Sequence, residues 1–528
     1  MQPVSSPVFR QAAVAWLVLL ALALGGLYWW WAVGRPVALP DAPSARIACV
    51  SYAPFRLPGE TPLDPQARVS PERIDADLRA LSKRFDCVRT YSQGQGLSEV
   101  PRIAQRYGME VLLGLWLGRD AAANEQQLRE GIAVANRYPQ VVRGVIVGNE
   151  VLLRGELPPE RLAAYLRQVR DAVDAPVSYA DVWEFWLRHP ELADAVDYVT
   201  IHILPYWEDR PVSPQRAVAH VAEVYARVRQ AFPRHNVMIG ETGWPSAGRP
   251  RQTARASVVE EARYLRGFLR HAATVHMPNN VIEAFDQPWK RAQEGTVGGY
   301  WGIFDAQARP KFAMQGPVVE EPHWLAGWWA AGAGAVLFLL SGAWRRRWRG
   351  RLALVLAGLA TGSALAWQGR QMLHACRDAG EWAVSTAACA LALVTAWLLG
   401  RWIAARLDGG PLPELPRWLQ AGWMCGLAYY GLLLVADGRY RDFPLGLFLL
   451  PCAGLALVAW LRDRSGCVMP SPEQRFLAGG LVALAVAVLV QEAGITPAAW
   501  SWLGLNLLLA WPVWLGWRRA RSLQPQQP

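Results

Sequence analysis

Two short stretches set carboxylates where a reaction can use them. VIVGNEVLLRG (145–155) puts Asn149 and Glu150 at the end of an apolar run, and VMIGETGWPSAG (237–248) does the same for Glu241. Two carboxyl groups on either side of one bond can divide acid/base and nucleophile work between them. A retaining enzyme breaks an O-glycosidic bond in this way, with carboxyls about 5–5.5 Å apart. In a shared pocket the two pKa values separate, so that one group keeps its proton near neutral pH while the other stays ionised.

Further hydrogen-bonding residues end other apolar runs: Tyr52, Arg89 and Tyr91, Tyr179 and Asp181, His202 and Tyr206, and Glu283 and Asp286. Converging on one face, such a set makes a site; singly, Arg89 and the aspartates read equally well as structural ion pairs. Glu283 and Asp286 can bind sugar hydroxyls or pair with Arg89 or Lys290. Trp207, Trp244, Trp289 and Trp301 offer flat apolar faces with an N–H at the edge, suited to pyranose rings, and each is also a candidate for the core.

The elements that must position these residues are eight apolar runs: 46–52, 87–91, 111–117, 141–149, 175–180, 197–203, 236–241 and 280–285. Amphipathic stretches separate them, among them Pro71–Phe85, with Ser70 as N-cap and Pro71 at the first helical position, and Pro158–Val173. Strand–helix alternation over about 270 residues is the pattern of a (β/α)8 TIM barrel, whose sites lie at the C-terminal ends of its strands. After the eighth run only Pro310–Gln315 has helical character, so the last helix is expected to be short or absent. Cys49 and Cys87 fall on neighbouring strands, either bridged or as buried thiols.

The rest of the chain is of another kind. Of 528 residues 52% are hydrophobic and 18% charged, and the net charge is +11. Between Gly34 and His323 basic and acidic residues nearly balance, 35 against 34, so the positive excess belongs to the flanks. So does tryptophan, with 21 of 28 in or beside apolar stretches, as interfacial indoles would be. This distribution excludes a soluble cytosolic enzyme and a nucleic-acid partner. The seven cysteines form no CxxC pair and no zinc spacing, so no metal or cofactor is expected.

Eight runs of membrane-spanning length can be marked, about 13–33, 324–343, 352–368, 382–400, 418–436, 443–461, 476–495 and 499–517. With the N-terminus inside, 15 arginines fall on inside pieces and 4 in short outside loops, so residues 34–323 lie outside the cytoplasm. The expected layout is a cytoplasmic tip and anchor at 1–33, the barrel at 34–323 and a bundle of about seven helices at 324–528, in the inner (plasma) membrane with both termini cytoplasmic. The first run ends on Tyr28, Trp29, Trp30 and Trp31 rather than on small residues, which favours an uncleaved anchor over a signal peptide. His374, Asp437 and Glu492 read as loop residues, leaving no intramembrane ion site.

GETGWPSAG (240–248) and GNE (148–150) resemble the catalytic segments of glycoside hydrolase family 17, the β-1,3-glucanase family, over roughly residues 46–316. The resemblance implies a (β/α)8 fold with Glu241 as nucleophile and Glu150 as acid/base, the latter holding its proton near neutral pH. It further implies that Asn149 holds a sugar 2-hydroxyl and that Tyr206 hydrogen-bonds the nucleophile. The whole layout, with TIHILPYWED (200–209) and IEAFDQPWKR (282–291), also resembles bacterial membrane proteins of β-(1,6)-glucan synthesis. The implied substrate is a β-glucan oligosaccharide or polysaccharide, beside the lipid bilayer and proteins of envelope glucan synthesis or export. No QxxRW occurs, and the one DxD-like string, Asp75-Ala76-Asp77, falls in an expected helix, so synthesis would mean remodelling preformed glucan. Transglycosylation, hydrolysis and glucan binding without catalysis remain as alternatives, and the intact Glu pair disfavours the last.

Overall fold

The computed structural model describes residues 7–342, 346–416, 418–462 and 469–521. They form two units, one of Val37–Gly248 with Thr253–Val318, the other of the residues up to Pro36, Arg249–Gln252, and those from Val319 onward.

The first unit holds seven parallel strands in sequence order: β1 Val50–Ser51, β2 Cys87–Arg89, β3 Glu110–Leu115, β4 Val142–Asn149, β5 Val177–Val182, β6 Tyr198–His202 and β7 Asn236–Glu241. Seven of the eight expected strands are there, the first much shortened. The eighth run is not a ladder strand. It makes isolated parallel bridges, Val50 with Val281 and Ile239 with Asn279. The Val281 amide donates to the Cys49 carbonyl at 3.0 Å and the Asn280 amide to Ile239 at 2.8 Å, so it bonds to both edge strands. Its regular extension stops because Glu283 has φ 54°, a left-handed value that no strand tolerates.

Strand residues divide by parity. Val111, Leu113, Val145, Val147, Val199, Ile201, Val237 and Ile239 join the main core, while Cys49, Cys87, Leu112 and Met238 form a separate buried cluster on the opposite face. Cys49 and Cys87 are disulfide-bonded there, with Cα atoms 4.3 Å apart.

Helix Pro71–Leu81 starts as expected, the Ser70 side chain accepting from the Arg73 amide, and stops four residues before Phe85. Pro158 is the N-cap of Pro159–Arg170 rather than part of it. Residues 310–315 form no helix, in keeping with the expectation that the last helix is short or absent. Arg291–Gly298, not marked from the sequence, is helical, with a kink where Gly295 takes φ 71°.

The second unit contains apolar helices at all eight expected places. Six are long and apolar enough to cross a membrane, and Leu325–Leu340 and Leu445–Leu461 are shorter. Leu325–Leu340 packs on Trp348–Ala375 through small residues: a Cβ on Gly362 would stand 1.9 Å from the Ala330 carbonyl oxygen. Such backbone approach is how helices associate without a hydrophobic driving force. Asp437 and Glu492 are helix C-caps, whereas His374 lies in the last turn of Trp348–Ala375.

Candidate active site

Strict alternation along β4 and β7 would turn Asn149 and Glu241 toward the helices, with Val147 and Ile239. Each strand avoids this with one extra residue. The β4–β5 register runs Ile146 to Ser178 and then Asn149 to Ala180. The β6–β7 register runs Ile201 to Ile239 and then His202 to Glu241. A one-residue slip exchanges the two faces of a strand, and bulges re-aim side chains in this way next to active sites. Within the β4 irregularity Gly148 has φ 84°, just after it Glu150 has φ 52°, and the Glu150 amide still donates to the Ala180 carbonyl at 2.8 Å. A non-glycine residue held left-handed is a strained conformation of the kind found at functional sites. On β7, Gly240 leaves room for its neighbours: a Cβ there would lie 2.4 Å from Thr200 Cγ2 and 3.2 Å from His202 Cδ2.

His202 stands between the carboxylates. Its Nδ1 is 2.9 Å from Glu150 Oε1 and 3.7 Å from Glu241 Oε2, and oxygens of Glu150 and Glu241 lie within 4.8 Å of each other. Its Nε2 is 3.4 Å from an Arg89 guanidinium nitrogen. Arginine only donates, so Nε2 accepts, the ring proton sits on Nδ1, and Nδ1–H donates to Glu150. The buried Arg89 also donates to the Gly240 carbonyl at 2.9 Å, to Glu241 Oε1 at 3.3 Å and to Asn149 Oδ1 at 2.6 Å. The Tyr91 hydroxyl donates to Glu241 Oε1 at 2.8 Å. Glu241 is thereby fixed in position, and Asn149, its oxygen engaged by Arg89, has its Nδ2 donors left for a ligand.

Burial pushes the Glu150 carboxyl up, but the His202 hydrogen bond and the charges of Arg154 and Lys290 oppose it, and the group is held below its ordinary value. This direction runs against the expectation that Glu150 keeps its proton near neutral pH, because a donor and two cations face it. Asp181 is pushed up to about 6 by burial, with Glu150 adding to the rise and the Tyr179 hydroxyl opposing it. Burial raises Glu283 to about 7 and Asp286 to about 6 against Lys290 and Lys311, respectively. Tyr91 is raised by burial and then by the Glu241 charge.

The other expected site residues are distributed unevenly. Glu150, Glu241, His202, Arg89, Asn149 and Tyr91 come together. Tyr52 does not join them, because parity points it to the helix side, where its hydroxyl donates to Asp77 at 3.0 Å beside the Arg56–Asp77 ion pair. Asp181 accepts from Tyr179 and from the Leu152 and Val182 amides at 3.2 and 2.7 Å, which organises the loop after Glu150. Glu283 pairs with Lys290, and Asp286 with Lys311 at 2.9 Å and not with Arg89 or Lys290. Trp244 is 1% exposed, donates to the Arg255 carbonyl and belongs to the core, as does Trp301. Tyr206 is buried with its ring edge-on to Trp207, Trp244 and Trp301. Trp207 and Trp289 are partly exposed, Trp289 donating to Gln287 at 2.8 Å. Arg154, inside the GNEVLLRG string but not among the expected site residues, also faces the site; its guanidinium donates to the Asn149 carbonyl and its charge acts on Glu150.

Glu150, His202 and Glu241 also have the ligand types and proximity of a cation site, but the Arg89 guanidinium beside them opposes a bound cation. A hydrogen-bonded acid/base pair accounts for the same geometry.

Residues 49–302 match the BtgE/BtgC glycoside hydrolase domain. A glucan 1,3-beta-glucosidase of Schizosaccharomyces pombe is 27% identical over 259 residues, 45% of this chain and 79% of that protein. The probable beta-glucosidase btgE of Aspergillus fumigatus is 26% identical over 233 residues, 42% of this chain and 40% of that one. Among solved structures, an active-site mutant of Rhizomucor miehei beta-1,3-glucanosyltransferase in complex with laminaritriose shares 26% identity, covering 52% of this chain and 98% of that one with a TM-score of 0.45.

Proposed function

From the premise that residues 49–302 are a glycoside hydrolase domain of the BtgE/BtgC type, we propose that the chain is a retaining β-glucan transglycosylase of the cell envelope. The observation that carries this reading is the Glu150–His202–Glu241 arrangement, whose carboxylate oxygens stand as close as a retaining pair requires. Glu241, oriented by Tyr91 and Arg89, attacks the anomeric carbon while Glu150 gives its proton to the departing sugar oxygen. The glycosyl–Glu241 ester is then attacked by an acceptor hydroxyl whose proton passes to Glu150, and Glu241 is released as carboxylate. Asn149 Nδ2 donates to the 2-hydroxyl. The lowered Glu150 carboxyl suits its second role, as base; its first role needs a proton, which covering the group with glucan favours by disfavouring the charge.

The contacts of 279–285 with both edge strands support reading the sheet as a closed (β/α)8 barrel, spanning 34–323 between an anchor at 1–33 and the multi-helix region 324–528. The arginine distribution supports an inner-membrane protein with the barrel outside and both termini cytoplasmic. There it would remodel preformed β-(1,3)/(1,6)-glucan alongside other proteins of glucan synthesis or export. Hydrolysis alone is the second reading, favoured by the glucosidase relatives.

Product analysis tests the pair of readings. With β-1,3-gluco-oligosaccharides at high concentration, the purified protein should give longer or β-1,6-branched products; only shorter sugars at every concentration would leave a glucanase. Glu241→Gln and Glu150→Gln should each lower turnover by at least about 100-fold while preserving the fold. Near-normal activity in either variant would remove the two-carboxylate assignment.

A further inference from the structure

The loops after β3 and β4 carry an aromatic surface that the two carboxylates do not use. Trp116 directly follows Leu115, the last residue of β3, at the strand end where barrel sites lie. It is 41% exposed, in contrast to the buried Trp244 and Trp301. The Arg154 guanidinium lies over its ring, 4.2 Å from the centroid. That guanidinium is itself held from several sides. It donates to the carbonyl of Asn149, the residue before Glu150, and to the carbonyl of Leu117 at 2.7 Å, and it pairs with Glu156 at 2.7 Å. One face of the indole is thus covered by a fixed cation, and the ring is tied through Arg154 to the backbone beside the acid/base residue. Leu153, in the second of these loops, is 46% exposed.

An indole already held in place loses little conformational entropy when its exposed surface is covered. A flat apolar face with polar groups around it matches one pyranose ring, which presents C–H bonds on its face and hydroxyls at its rim. We propose that Trp116, clamped by Arg154, is the stacking platform of a further subsite that binds a glucose unit of the glucan beyond the two that flank the bond being cleaved. This rests on the β-glucan reading above, and its signature is a dependence on chain length.

The test measures binding of β-1,3-linked oligosaccharides of two to six units to the full-length Glu241→Gln protein in detergent, with and without Trp116→Ala. The expected result is a rise in Kd of about tenfold for the hexasaccharide with the disaccharide nearly unaffected. Trp116→Phe, which keeps a smaller ring, should fall between. Unchanged affinities at every length would overturn the platform and leave the β-glucan reading standing. Equal losses at every length in both variants would also overturn it, by making Trp116 a support of the whole site. No binding of any oligosaccharide by the Glu241→Gln parent would sink both readings together.

Discussion

Gly240→Ala offers a stringent check on the geometry, because the added methyl group would meet two named atoms. At 2.4 Å from Thr200 Cγ2 the contact is impossible without movement, and at 3.2 Å from His202 Cδ2 it forces a shift of a few tenths of an ångström. Overpacking of this kind costs about 1–3 kcal/mol, which for a domain of this size lowers Tm by roughly 2–12 °C. Thr200→Ser in the same chain removes Cγ2 but keeps the hydroxyl that bonds Ser178 Oγ at 2.7 Å. The double variant should therefore regain most of the lost stability. It should not regain full activity, since the crowding of His202 remains and small misplacements in a catalytic group cost rate steeply. Thermal unfolding followed by circular dichroism reads the first effect and kcat on a β-1,3-gluco-oligosaccharide the second. A Gly240→Ala protein with native Tm and kcat, or a double variant no more stable than the single, would refute the account.

Three further outcomes follow from other parts of the molecule. His202→Phe removes the hydrogen bond that holds the Glu150 carboxyl low, so the alkaline limb of the kcat/KM–pH profile, which tracks loss of the free enzyme's acid proton, should move to higher pH; an unmoved or lowered limb would contradict the assigned donor. Replacing both Cys49 and Cys87 by Ala opens a bridge between residues 38 apart in sequence and should cost about 2–4 kcal/mol in denaturant unfolding, while a reducing agent should destabilise the native protein and leave the variant unaffected. A reporter active only in the cytoplasm should give signal when fused after Arg349 and none after Gly248, because the arginines at 345–351 resist translocation; the reverse pattern would invert the proposed topology.

Much of the site was legible because its residues end apolar runs, and strand ends are where barrel sites are built. Glu150, Glu241, His202, Arg89, Asn149 and Tyr91 all satisfy that rule, and their side chains meet. What defeated the rule was direction. Tyr52 also ends a strand, yet its parity sends it outward to Asp77, a partner on a helix 25 residues away, and a sequence does not display that pairing. The bulges that turn Asn149 and Glu241 inward are equally silent, since an extra residue in a run of Val, Ile and Gly changes no composition. The eighth run alternates well enough to read as a strand, but it is broken at Glu283 by a backbone angle that residue type does not announce. Among the tryptophans, type and position give no means to separate Trp244, sealed in the core, from Trp116, which is exposed beside Arg154.

The single hydrogen on His202 Nδ1 has a consequence for timing. Two oxygens are within its reach, at 2.9 and 3.7 Å, and it can serve only one of them well. While both carboxylates are ionised they compete for it, and the nearer Glu150 holds it. On the retaining route, once Glu241 has become an ester its charge is gone and the rivalry ends, so the donor belongs to Glu150 alone. At that moment Glu150 has to take a proton from the incoming hydroxyl. It does so as an anion already oriented by a bond on its other oxygen, and no side chain needs to move between the two halves of the cycle. In the proposed cycle the changeover would be made by the chemistry at Glu241 itself, so that the arrival of an acceptor, rather than rearrangement of the protein, would end the intermediate's life.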